Sequence, residues 1–499
     1  MEKRFVMAID QGTTSTRVML FDHEGKVCAS AFREIRQIYQ KPGWVEHEAN
    51  EYWDTTLTCA AEVLEKSRIS AAELAAIGIT CQRETTILWD RETGEPLYYA
   101  IVWQSRQTAA ICEDLKARGL DGYVQEKTGL LIDAYFSATK IKWIIDNVPG
   151  VKEKVKAGKV MFGNIDSWLI YKLSGCTAHV EDYTNASRTM LLDIHTKQWD
   201  EKILNALDIP HDILPELKPS CGVLAMTSKA AFFGEEIPIA GDAGDQQAAL
   251  FGQACFEPGM AKSTYGTALA LMMNIGSEAK ASQNGLTTDL GWALPDKTEY
   301  ALEGLVFAGG ATIQWLRDGL KIIKTSAEAS DLASRVPDTG GVYLVPAFVG
   351  LCAPYWDMYA RGTIVGITRG TTNEHIARSA LEAIAYQTRD ILECMENDSG
   401  QKATALRVDG GATASDFLMQ FQADILGIPL QKPVITEMMA LGAAYLAGLG
   451  VGFWKDQEEI ASQWRVERVY EPDMSEDERD TLYHGWKRAV ERSLGWVKK

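Results

Sequence analysis

Three short stretches of the chain share one chemical character: DQGTTSTR at 10–17, STYGT at 263–267 and DGGATAS at 409–415. Each follows a run that reads as a buried strand, and each joins glycine to hydroxyl or acidic residues. Glycine lets backbone N–H groups come close to a ligand, and successive N–H groups in such turns form concave nests for phosphate oxygens. An acid beside them can hold the hydrated Mg²⁺ that accompanies ATP. One such loop alone is equally an ordinary tight turn; three after buried strands point to phosphate. Arg17 lies seven residues past Asp10, placed to face a transferred phosphoryl group or, on an edge strand, to face solvent. Asp242 and Asp245 flank Gly244 in GDAGDQQAALF. Asp245 suits two roles: an N-cap, or the carboxylate that orients and deprotonates an acceptor hydroxyl in phosphoryl transfer. Arg83 and Glu84 pair a donor with an acceptor, as a polyol requires, and Trp103 and Tyr135 could supply an aromatic wall. The same four residues could also be a solvated ion pair and two core aromatics.

Patterning indicates the elements that must place these groups. MAIDQGTTSTRVMLF reads as strand, polar loop, strand, with the second strand at 17–21 and a turn at Asp22–Gly25. That order is not the strand, loop and helix of a P-loop or dinucleotide fingerprint. MAKSTYGTALALMMN repeats the pattern near the middle of the chain. Residues 50–68 read as a helix and 75–80 as a buried strand ending at Gln82, Arg83 and Glu84. TTILWDRETGEPL reads as a hairpin. IAGDAGDQQAALF reads as strand, glycine loop and helix, with a domain break near 250–258. Thr371 and Glu374 have capping-box spacing. LRVDGGATASDFLMQFQADILG reads as strand, loop and helix, capped by Ser415 or Asp416, with Leu418, Phe421 and Ile425 as its buried stripe and Gly427 as its stop. MALGAAYLAGL at 439–449 reads as a helix of small residues built for close packing. The expected division is residues 1–252 and 253–499.

The composition narrows the classes. The chain has 499 residues and 46% apolar content, enough for more than one core. A formal charge of -18 excludes a broad nucleic-acid surface. No apolar run reaches the ~18 residues of a spanning helix, so no membrane insertion is expected. The nine cysteines show no CxxC pair or zinc spacing, and their odd number reads as reduced thiols in a cytoplasmic protein. None of the seven histidines joins Cys, Asp or Glu at metal spacing.

MAIDQGTTSTR, IGITCQRETTILWD, AIVWQSRQT, YTNASRTML, GDAGDQQAALFGQ, MAKSTYGTA and LRVDGGATASDFLMQFQADILG together resemble the glycerol kinases, within the carbohydrate kinases built like the sugar kinase, Hsp70 and actin group. The resemblance runs over nearly the whole chain. It implies an α/β fold of two RNase H-like, actin-like ATPase domains with a catalytic cleft between them. It implies that Thr13, Thr14, Ser15 and Arg17 hold phosphates and that Asp10 sits near the metal. Thr267, Gly310, Gln314, Gly411 and Ser415 would border the nucleotide. Glycerol would lie against Arg83, Glu84, Tyr135, Asp245 and Gln246, with Trp103 as wall and Asp245 as general base. ATP and Mg²⁺ are the implied cofactors, and a homodimer or homotetramer the implied assembly.

The sequence departs from that pattern in places. Position 415 is commonly Asn and is Ser415 here. Ala268, Leu269 and Ala270 stand where glycine, a small residue and a pocket-lining phenylalanine are usual, which implies a looser acceptor pocket. Cys352 replaces a usual glycine. Glu235 and Glu236 stand where a fructose 1,6-bisphosphate loop carries arginine, and Ala231 where a phosphorylated histidine would align, so neither control is expected. Two other readings share the phosphate loops: a kinase for another small polyol or ketose, and a chaperone-like or actin-like ATPase without a small acceptor.

Overall fold

The computed structural model describes residues 2–498. Two mixed sheets organise it. In the first, β1 (Phe5–Gln11), β2 (Ser15–Phe21) and β3 (Val27–Glu34) form an antiparallel meander. β4 (Leu74–Cys81) joins β1 in parallel, and β5 (Cys221–Met226) and β6 (Pro238–Gly244) complete the order β5-β6-β4-β1-β2-β3. The second sheet comprises β7 (Ala261–Tyr265), β8 (Leu269–Gly276), β9 (Thr287–Ala293), β10 (Thr298–Val306), β11 (Leu406–Asp409), β12 (Leu430–Pro433) and β13 (Val466–Tyr470). Its order is β9-β10-β8-β7-β11-β12-β13.

Each sheet therefore holds an antiparallel run, of three strands in the first and four in the second, then two further strands added in parallel, and an antiparallel edge. The weak likeness between the first strand pair and the middle one is a repeated topology, and the fold is α/β, built on two related sheets. β1, β4 and β6 are buried on both faces and read as apolar runs, as strands inside a parallel arrangement do. Their carboxyl ends open on one edge of the sheet, where ligands bind in open α/β sheets.

Helix Met438–Gly450 lies downstream of most of the second sheet yet packs on the first. Small residues make this possible. A Cβ on Gly78 would stand 2.1 Å from the Ala443 carbonyl oxygen, and one on Gly442 would stand 1.8 Å from that of Ala248. Backbone thus meets backbone, which fixes helix Asp245–Gly252 against the sheet.

Two local readings need correction and one needs extending. TTILWDRETGEPL turns back on itself: the Trp89–Pro96 bridge is flanked by Asp90 N–H donating to the Glu95 carbonyl at 2.9 Å and Leu97 N–H donating to that of Leu88 at 2.8 Å. Its first arm, Ile87–Asp90, also pairs with the buried strand Val160–Gly163. The capping box lies one residue later than expected, at Thr372 with His375, since helix Asn373–Ser399 begins after Thr372. Ser15 belongs to β2 rather than to the loop, which is Gly12–Thr14. The helix expected after the DGGATAS loop is Asp416–Leu426, capped by the Ser415 side chain and ended by Gly427 in a left-handed conformation.

Candidate active site

The carboxyl ends of β1, β4 and β6 deliver Asp10, the Gln82–Glu84 turn and Asp245 to one place. Asp10 and Arg17 are directly paired across β1 and β2, so their side chains share a face. Arg17 Nη1 lies 3.6 Å from Glu437 Oε1 and keeps 42% of its side chain exposed, as a ligand-facing cation would. The Asp10 carboxylate has no hydrogen bond or ion pair among the described residues. Burial pushes it up to about 7, Arg17 pulls it down, and the nearby Asp245 and Glu437 carboxylates raise it. An unengaged carboxylate beside a glycine-hydroxyl turn fits a hydrated divalent cation. Thr13 and Thr14 occupy the turn that Gly12 N–H closes by donating to the Ser15 carbonyl at 2.9 Å.

Arg83 and Glu84 are buried, with side chains 3% and 1% exposed, which removes the solvated-pair reading. Arg83 Nη2 donates to Glu303 Oε1 at 2.6 Å, Nη1 donates to Gln247 Oε1 at 3.2 Å, and Nε lies 3.2 Å from Asp245 Oδ1. The arginine stem lies on Gly244, where a Cβ would come within 2.6 Å of Arg83 Cδ. Glu84 has φ +61°, in the left-handed region that costs a non-glycine residue about 1–3 kcal/mol. Lys140, buried in helix Ser137–Asn147, donates to the carbonyls of Glu84, Tyr135 and Phe136. Burial lowers that ammonium to about 7.

Asp245 is the first residue of its helix, after Gly244 at the cap position. Its Oδ1 accepts from Gln246 N–H at 2.7 Å and also faces Arg83, so the one carboxylate serves the helix start and the buried arginine together. Gln246 Oε1 accepts from buried Lys262 at 2.5 Å, and Lys262 also reaches Thr264 and the Ala270 carbonyl. Ala270 therefore adjoins the acceptor side. Trp103 and Tyr135 are half-buried and meet edge to face, with centroids 5.4 Å apart. Trp103 Nε1 donates to Thr13 Oγ1 at 2.9 Å, tying the aromatic wall to the phosphate turn.

On the second sheet, Thr267, Gly310, Gln314, Gly411 and Ser415 all line one cavity of about 620 Å³. That volume is the size of a small-molecule pocket. Gly310 N–H donates to the Gly266 carbonyl at 2.9 Å, stitching the start of helix Gly310–Gln314 to the turn after β7. Gly410 has φ +94°, and a Cβ there would lie 2.6 Å from the Tyr265 carbonyl oxygen. The Ser415 hydroxyl is engaged by Ser330 at 2.6 Å while it caps the next helix.

Sequence reasoning did not single out Arg188, Asp289 or Glu303. The three are buried and form one network: Arg188 lies 2.6 Å from Glu84, 2.7 Å from Asp289 and 2.9 Å from Glu303. Burial alone would raise the Glu303 carboxyl, but Arg188 and Arg83 hold it at about 2. The available signal was a charged residue in the otherwise buried strand TEYALEGLV and an arginine in YTNASRTML. Behind the site, Asp166, Asp182 and Asp242 bring carboxylate oxygens within 4.8 Å of one another. Burial and its neighbours' charge push Asp166 up to about 7 and Asp242 well above its ordinary value. Neither Asp242 oxygen has a hydrogen-bond donor among the described residues.

The sequence pattern of the FGGY family of carbohydrate kinases matches in two parts, its N-terminal domain over residues 5–252 and its C-terminal domain over residues 261–451. A glycerol kinase 2 of Thermotoga maritima is 59% identical over 496 residues, covering 99% of this chain and all of that protein. A glycerol kinase of Caldanaerobacter subterraneus subsp. tengcongensis is equally similar over the same span. The crystal structure of Plasmodium falciparum glycerol kinase with ADP superposes with a TM-score of 0.94 at 38% identity, covering 100% of this chain and 99% of that one.

Proposed function

The chain belongs to the FGGY family of carbohydrate kinases, and on that footing we propose that it transfers the γ-phosphoryl group of ATP to a terminal hydroxyl of glycerol, giving sn-glycerol 3-phosphate and ADP. The observation that carries this reading is the place of Asp245. Its carboxylate touches Arg83 of the acceptor pocket and lies close enough to Asp10 of the phosphate turn to raise it.

Phosphoryl transfer leaves a protein mainly with positioning and charge stabilisation. Arg83 and Glu84 hold the vicinal hydroxyls, with Gln246 beside them. Trp103 and Tyr135 cover the C–H face. Asp245 accepts the proton of the attacking hydroxyl. Thr13, Thr14 and Ser15 bind phosphate oxygens, and Arg17 faces the charge that develops on the transferred group. Thr267, Gly310, Gln314, Gly411 and Ser415 border the nucleotide. Asp10 would hold Mg²⁺, which when bound neutralises phosphate charge. Acceptor binding closes the domains, divided at 252 and 253, and excludes water from the γ-phosphate. Ala270 leaves the acceptor pocket wide, so a raised KM for glycerol or turnover of larger polyols accompanies this activity.

The finer properties follow the same reading. Nine free thiols support a cytoplasmic site of action, and no helix among the described residues is long and apolar enough to cross a membrane. Glu235 and Glu236 disfavour fructose 1,6-bisphosphate. The assembly is a homodimer or homotetramer, to be read by light scattering.

ATP consumption across a panel of polyols and ketoses tests the proposal. Glycerol-dependent ADP release that stops with a chelator and resumes with Mg²⁺ is the expected result. ATP turnover that ignores glycerol and survives Arg83→Ala would overturn it and favour an actin-like ATPase.

A further inference from the structure

We propose that Arg188 is the positioning residue that sets the shape of the acceptor pocket and so its specificity. This rests on the acceptor pocket assigned above. Arg188 follows the short helix Tyr183–Ser187 and is 1% exposed. Its Nε donates to Glu84 Oε1 at 2.6 Å. Its guanidinium carbon stands 5.6 Å from the Tyr135 ring centroid and 5.2 Å from that of Phe136. One side chain thus holds the carboxylate and the aromatic ring that face the acceptor.

The third pocket residue is held through an intermediary. Glu303 Oε1 accepts from Arg83 Nη2, and its Oε2 lies 2.9 Å from Arg188 Nη1 as an ion pair without hydrogen-bond geometry, so both guanidinium groups are drawn to one carboxylate. Arg188 Nη1 also donates to Asp289 Oδ1 at 2.7 Å and to Thr287 Oγ1 at 3.2 Å. Asp289 and Glu303 stand on β9 and β10 of the second sheet, whereas Arg83 and Glu84 follow β4 of the first. The spacing of the acceptor-binding groups is therefore set by how one sheet is seated on the other. A guanidinium is required because its planar fork reaches three carboxylates and a ring face at once; an ammonium is a single point charge.

The role differs from that of a residue that merely holds the fold. A structural strut would change stability and leave the Michaelis constants of the two substrates moving together. A positioning residue splits them. Full-length Arg188→Lys and Asp289→Asn are compared with wild type by thermal melting, acceptor KM, ATP KM and kcat, using the acceptor that the wild type phosphorylates best. Arg188→Lys is expected to raise acceptor KM about 30-fold while ATP KM stays within about threefold. Its preference for that acceptor over longer polyols should fall about tenfold. Asp289→Asn removes one anchor without touching Glu84 and should show the same split at smaller size, which decides the matter where Arg188→Lys does not fold.

The pH profile adds a second readout. Glu84 faces Arg83, Arg188 and Glu303, and burial raises its carboxyl against the pull of the two arginines. In Arg188→Gln that carboxyl rises further, so acceptor KM should drop as pH increases, whereas wild type is flatter. Equal changes in both Michaelis constants, or a lowered melting point with acceptor KM and selectivity unchanged, would overturn the inference. A wild type that uses an acceptor other than glycerol would sink the glycerol reading and leave the split of constants to decide on Arg188.

Discussion

Asp245 Oδ1 stands 3.2 Å from Arg83 Nε, and both belong to the first sheet's carboxyl edge. The same Oδ1 accepts from Gln246 N–H at 2.7 Å, so the carboxylate is steadied by its own helix start while it faces Arg83. Asp245→Asn keeps the shape and removes the proposed base. A fall in kcat on the order of 10²–10⁴ is expected, with acceptor KM changed by only a few-fold. Steady-state kinetics on the purified variant check this, and a kcat within tenfold of wild type would exclude Asp245 as base.

Trp103 and Thr13 connect the two halves of the reaction through one hydrogen bond. Trp103→Phe keeps an aromatic ring against Tyr135 and loses that bond. The loss is worth about 1 kcal/mol, seen as about a fivefold drop in kcat/KM. Thr13→Val should cost the same, and the double variant no more than either alone. A double-mutant cycle measures this coupling.

Gly410 precedes Gly411, which lines the cavity proposed to take the nucleotide. Gly410→Ala forces a left-handed backbone on alanine and drives its Cβ into the Tyr265 carbonyl. ATP KM should rise about tenfold or more while acceptor KM holds, as separate titrations of the two substrates would show.

The buried acids behind the site predict how stability depends on pH. The folded Asp166 carboxyl is raised to about 7 by burial first and by Asp182 next, and burial likewise raises Asp242 well above its ordinary value. A raised carboxyl binds its proton more tightly in the folded chain. Its stabilising effect is full below an unfolded value of about 4 and is lost as pH climbs towards the folded value. Asp242→Asn keeps the shape without a charge to bury. Its melting temperature should exceed wild type by about 2–4 °C at pH 8 and match or trail it at pH 5. Equal shifts at both values would contradict the assignment.

Much of this was legible in the sequence because local rules govern it. Strand, glycine turn and strand around Asp10 follow from composition, and so does the helix stopped by Gly427. The five nucleotide-side residues came from family resemblance, and a single cavity brings them together. Arg188, Asp289 and Glu303 were not legible as a unit. Their partners lie 100 or more residues away, across two sheets, and no spacing rule reports such pairs. The turn at 88–97 was legible, but the pairing of its first arm with Val160–Gly163 was not, since that strand is distant in sequence.

The returning helix Met438–Gly450 carries a consequence for biogenesis. The first sheet is complete at Gly244, but the helix that covers one of its faces is translated roughly 190 residues later. At about 5–20 residues per second, that face waits on the order of 10–40 s on the ribosome. The nascent first half is then an apolar surface of alanine and glycine without its lid, which makes it the stage at which a chaperone holdase would engage the chain.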